Sequence, residues 1–119
     1  MTKANIDVVL DCADPRQLAR FWSAALDYRV LGAAGQWVAL VPKEGAKSPL
    51  ILQGVPEAKN GKNRAHLDII ADDIEAEANR LEALGAARLR GLQEEHGYRW
   101  IPMADPEGNE FCVCEGIEW

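Results

Sequence analysis

Ile6-Asp7-Val8-Val9-Leu10-Asp11-Cys12-Ala13-Asp14-Pro15 starts a pattern that Ala65-His66-Leu67-Asp68-Ile69-Ile70-Ala71-Asp72-Asp73-Ile74 starts again 59 residues later. In the first copy Ile6, Val8 and Leu10 alternate with Asp7, Val9 and Asp11, which predicts a strand over 6–12 with one apolar face. Asp14 suits a helix N-cap and Pro15 the first helical position. Leu18, Phe21, Trp22, Ala25 and Leu26 then recur at the spacing of an amphipathic helix. Short strands fit 29–31, 37–41 and 50–54, so the first half reads β-α-β-β-β.

Residues 54–64 carry glycine, proline and asparagine with few apolar residues, and read as a surface linker. The second copy predicts a strand over 65–71. Asp72 and Glu75 have capping-box spacing ahead of the stripe Ile74, Ala78, Leu81 and Leu84, and Gly85 is the expected stop. Strands follow at 87–91, 99–103 and 110–114, with a type I turn at Asp105-Pro106-Glu107-Gly108. At an offset of 59, Asp7 falls on His66, Asp14 on Asp73 and Gln53 on Cys112. The alternative, one ferredoxin-like β-α-β-β-α-β domain with an added hairpin, leaves a strand over after each helix. The duplicated unit is the better reading.

These segments resemble the vicinal oxygen chelate superfamily, the glyoxalase, bleomycin-resistance and dioxygenase proteins, and in particular small bacterial glyoxalase-like domains. The resemblance is carried by Val8-Val9-Leu10-Asp11-Cys12-Ala13-Asp14-Pro15, Leu18-Ala19-Arg20-Phe21-Trp22, Asn63-Arg64-Ala65-His66-Leu67-Asp68 and Met103-Ala104-Asp105-Pro106-Glu107-Gly108-Asn109-Glu110-Phe111. It implies an α+β fold of two βαβββ modules, about 5–55 and 64–116 within one 119-residue domain. The modules would form a cupped, half-barrel mixed sheet with the helices outside. It also implies a homodimer, and a metal set at Asp7, Gln53, His66 and Cys112 in metal-dependent members. Cys112 stands where glutamate is usual, and Asp7 also departs from the pattern. As an enzyme the chain would be a metal-dependent lyase, isomerase or dioxygenase holding Zn, Mn, Ni or Fe. As a bleomycin-resistance-like protein it would sequester a small molecule without turnover.

Strand alternation independently places Asp7, Asp11, Gln53, His66, Asp68, Glu110 and Cys112 on one face, away from the apolar helix-facing side. That predicts an acid-lined, small-molecule pocket, with Trp100 added on a hairpin. Asp, Gln, His and Cys donors suit zinc, and a site without thiolate suits harder ions. Carboxylates around His66 would equally support acid–base work by His66 or Glu110. An acidic cup with tryptophans would also suit a cationic ligand. Against these stand plainer readings: Cys112 as a small buried residue, His66 as an ordinary hydrogen-bonded side chain, and Lys59, Lys62 and Arg64 as a wet loop. His96 reads as a solvated hairpin tip, and Trp119 as a free end or a subunit contact.

The charge of −6 argues against nucleic acid or an anionic membrane as partner. No apolar run reaches membrane-spanning length and no signal-peptide core precedes the first strand. Three cysteines without a pairing framework predict reduced thiols and a cytoplasmic protein. Cys112 and Cys114 lie about 7 Å apart along a strand, too far for a disulfide.

Overall fold

Asp14 accepts a hydrogen bond from the Gln17 amide at 3.1 Å, and Pro15 follows it, so the helix starts where its cap and its proline require. This is α1, Pro15–Leu26, and it follows the strand β1, Val8–Cys12. Tyr28–Ala34 (β2), Trp37–Pro42 (β3) and Leu50–Gly54 (β4) complete the unit. The computed structural model describes residues 5–116, and Trp119 lies outside them. Its contacts divide the chain into two units, Met1–Ala58 and Lys59–Trp119.

In the first unit the strand order is β1-β4-β3-β2, with β1 parallel to β4 and the other pairs antiparallel. The second unit repeats this plan with β5 (Leu67–Ile70), α2 (Ile74–Ala83), β6 (Ala87–Arg88), β7 (Gln93–Glu95), β8 (Tyr98–Ala104) and β9 (Glu110–Cys114). Its order is β5-β9-β8-β6, with β5 parallel to β9 and β7 also paired to β8. Parallel pairing of first and last strands around a helix occurs twice. The fold is α+β with two βαβββ modules, as expected.

Each helix covers one face of its own sheet. Leu18, Phe21 and Trp22 from α1 meet Val38, Leu40, Leu50 and Leu52, all buried. Ile74, Ala78 and Leu81 from α2 meet Ile101, Met103, Phe111 and Val113 in the same way. Burying each of the larger side chains contributes about 1.5–3 kcal/mol.

Four expectations need correction. The first strand begins at Val8, and its predicted apolar face is packed only towards its end: Ile6 is 89% exposed and Val8 40%, whereas Leu10 is half-buried and Cys12 buried. The reason is coverage, because α1 lies chiefly on β2, β3 and β4 and the start of the edge strand β1 stays exposed. The α2 cap is Asp73, whose carboxylate accepts from the Ala76 amide at 3.0 Å, so Glu75 is one residue too early for a capping box. The strand expected at 65–71 is shorter, with His66 just ahead of β5.

The fourth correction concerns 87–91, which is not one strand. β6 pairs with Met103 and Ala104, β7 pairs with Tyr98 to Trp100, and Leu89 to Leu92 run free between them. Pro102 explains the break. Its carbonyl accepts from the Leu89 amide at 2.9 Å, so its nitrogen faces the same neighbour but carries no hydrogen to return. The ladder is interrupted there, and the chain loops out. It resumes through a tight turn in which His96 and Gly97 take φ of 54° and 78°, a combination glycine makes easy at the second position. His96 is an exposed hairpin tip, as expected.

Candidate functional site

Asp105 is buried, and its Oδ1 accepts from the Glu107 and Asn109 amides, each at 2.9 Å. The Gly108 amide closes the turn onto the Asp105 carbonyl at 2.8 Å. This fixes where β9 starts and therefore which of its residues face which way. Phe111 and Val113 turn to the helix, and Glu110, Cys112 and Cys114 turn to the opposite face.

The register then sets the neighbours. Cys112 lies opposite Asp68 on β5 and Pro102 on β8, while Cys114 lies opposite Ile70 and Trp100. The His66 ring, the Asp68 carboxylate and the Cys112 thiol each bring a donor atom within 4.8 Å of the others. His66 Nε2 stands 3.3 Å from Asp68 Oδ1. In tetrahedral zinc sites neighbouring donors lie about 3.3–3.7 Å apart, so a small contraction would bring this trio around one ion.

A cavity of about 300 Å³ adjoins the trio, at the small end of ligand-site volumes. Besides the three donors it is lined by Lys62, Glu110, Tyr98, Trp100, Leu89 and Arg90 among others. The Tyr98 and Trp100 rings stack with centroids 5.4 Å apart, giving a flat aromatic wall. Leu89 and Arg90 reach the cavity because Pro102 breaks the ladder beside them.

Electrostatics refine the picture. Burial, reinforced by the Asp68 charge, pushes the Cys112 thiol up to about 11, so at neutral pH it is protonated and no spontaneous nucleophile. Burial and a hydrogen bond to Cys114 also raise the Tyr98 phenol, and burial raises the Cys114 thiol. Burial alone would raise the Glu110 pKa. The hydrogen bonds from Lys62 and Lys59 prevail, and the net shift is downward. Both ion pairs measure 3.2 Å.

Lys59 and Lys62 therefore tie the linker onto β9, and the expectation of a merely wet loop fails for these two. The acid-lined expectation also changes. In this cavity Asp68 and Glu110 are opposed by Lys62 and Arg90, so the lining carries no acidic excess.

His66, Asp68, Trp100, Glu110 and Cys112 are thus brought together in the second unit. Asp7, Asp11 and Gln53 belong to the first. Asp7 is exposed ahead of β1, and Asp11 lies opposite Gln53, which in turn lies opposite Trp37. The offset of 59 holds for the first strands and the helix caps, Asp14 and Asp73, but not for the last strands. Val9 is the counterpart of Asp68 and pairs with Ile51, so Ile51 is level with Cys112, while Gln53 is level with Cys114. Sequence reading missed Tyr98, Leu89 and Arg90. For the latter two the signal was Pro102 in mid-strand.

Comparison with known proteins agrees with this architecture. A family model described as a glyoxalase-like domain matches residues 7–114. No curated protein matches the sequence. Among solved structures, the fosfomycin resistance protein FosX from Listeria monocytogenes superposes with a TM-score of 0.77 at 13% identity, covering 98% of this chain and 96% of that one. FosX from Mesorhizobium loti gives 0.73 at 17% identity, covering 98% and 95%. A glyoxalase/bleomycin resistance protein/dioxygenase family enzyme from Burkholderia phytofirmans gives 0.76 at 15% identity, covering 92% and 96%. The chain belongs to the glyoxalase-like domain family, and with it to the vicinal oxygen chelate superfamily.

Proposed function

We propose that the second module holds a divalent metal through His66, Asp68 and Cys112, and that a small molecule seated in the adjoining cavity is bound and transformed there. The convergence of three donor atoms within 4.8 Å beside a ligand-sized cavity carries this reading. Nitrogen, oxygen and sulfur donors suit zinc best among the candidates Zn, Mn, Ni and Fe. Three protein ligands leave a position open, as catalytic sites require. The proposed set differs from the one the resemblance implied, because Asp68 takes the place of Asp7 and Gln53.

When bound, the metal would polarise oxygens of the ligand, the chemistry a lyase, isomerase or dioxygenase needs. The chain's own residues do the rest. Tyr98 and Trp100 orient a flat group against the wall, Leu89 and Pro102 exclude water, and Glu110 is held ionised by its two lysines. With His66 committed to the metal, Glu110 is the candidate proton carrier; without metal, His66 is the other.

A second reading is sequestration without turnover. The protonated Cys112 thiol and the aromatic wall favour it. The test is to load the protein with Zn²⁺, desalt it, and measure metal per chain, with His66→Ala as control. Near-stoichiometric zinc that falls at least tenfold in the variant supports the metal centre. No retained metal in either protein overturns it. Turnover of a ligand found by thermal shift, with fosfomycin and bleomycin in the screen, separates enzyme from binding protein. We further propose that the protein is a cytoplasmic homodimer with reduced thiols.

A further inference from the structure

Among the described residues, one cation of the cavity lining has no carboxylate partner. In the second unit Arg80 is paired to Glu77, Arg88 to Glu75 and Glu82, and Arg99 to Glu115. Lys62 is committed to Glu110. Arg90 lines the cavity and makes no ion pair or hydrogen bond among the described residues. It sits on the segment that Pro102 ejects from the sheet, near enough to Cys112 for its charge to act on that thiol. Across the same cavity stands the stacked Tyr98–Trp100 wall, with Leu89 and Pro102 supplying further apolar lining.

A spare guanidinium and a flat aromatic wall in so small a space define complementary ligand chemistry. A guanidinium offers a planar fork of donors that matches a carboxylate. Stacked rings favour a flat, apolar body. We propose that the cavity selects a small, flat carboxylate, with Arg90 as the anion anchor and Trp100 as the stacking surface. This deepens the reading of the cavity given above and rests on it for the site, but not for the metal. It also reverses the ligand charge that the sequence suggested.

The test uses the full chain without metal, and benzoate and neutral benzamide as probes of the same shape. Binding is followed by nuclear magnetic resonance at the Trp100 indole N–H, assigned with Trp100→Phe. Benzoate is expected to bind at least tenfold more tightly than benzamide and to shift that resonance. Arg90→Gln is expected to remove the preference while leaving benzamide binding unchanged. Added salt should weaken benzoate binding only. Equal binding of the two probes, an unchanged preference in Arg90→Gln, or binding that leaves Trp100 unmoved would each overturn the proposal. Because no metal is present, a failure of zinc loading does not affect this outcome. Conversely, a negative result here leaves the metal centre standing.

Discussion

Two side chains show how far single residues steer this protein. Asp105 is buried with its carboxylate turned onto the amides of Glu107 and Asn109, and it sets the start of β9 and the facing of Cys112. Hydrogen bonds to a charged acceptor are the stronger kind. Asp105→Ala is expected to lower stability by about 2–4 kcal/mol in urea unfolding. Cys112 carries the other prediction. A thiol held up to about 11 must give up its proton to bind zinc. Zinc binding near pH 7.5 should therefore release close to one proton from this residue. That release is read from the dependence of calorimetric heat on buffer ionisation enthalpy, and it should vanish in Cys112→Ser. Glu110 gives a pH signature. Its pKa is lowered in the folded protein, so the stabilisation it contributes is complete above the ordinary glutamate value of about 4.3. It is lost as pH falls through the lower folded-state value. The stability gap between wild type and Glu110→Gln should be full at neutral pH and close in acid.

Secondary-structure elements show where local sequence suffices. Asp14 and Asp73 cap the helices they precede, and Asp14→Ala is expected to cost about 1 kcal/mol by thermal or urea unfolding. Helices, caps and the central strands were legible because their signals are local: a 3.6 period, a carboxylate before it, alternation after it. β7 was not, since Gln93-Glu94-Glu95 has no apolar alternation and is held only by pairing to β8. The exposed start of β1 was not legible either, because alternation shows which residues are apolar but not which strands a helix covers. The site was half legible. His66 and Cys112 were expected on one face from strand alternation and from the family resemblance, and both lie among the three clustered donors. Pairing Gln53 with Cys112 failed because the two halves differ by two residues between first and last strands, a shift only the register displays. Arg90 belonged to a predicted strand, and placing it needed the direction of one missing hydrogen.

At the scale of the whole molecule, exposed apolar residues on β1 need covering. Val8 and Val9 are exposed on this edge strand, as is Ile6 just ahead of it, and the strand's free side can pair with another chain. The expected homodimer should give light scattering at twice the monomer mass, and Val9→Lys should shift it to monomer. The charge of −6 does not describe the cavity, where cations balance acids. Net composition and local chemistry part company here.

Pro102 has a consequence for how this protein can change. Because the sheet is already open beside it, residues 89 and 90 contribute no obligatory strand pairing of their own beyond the single Leu89 amide. Their side chains can be exchanged, or the span lengthened, without disturbing the helix-packed core. What the cavity accepts and whether the chain folds are therefore inherited separately, and a lineage could explore new ligands at these positions while its scaffold stays constant.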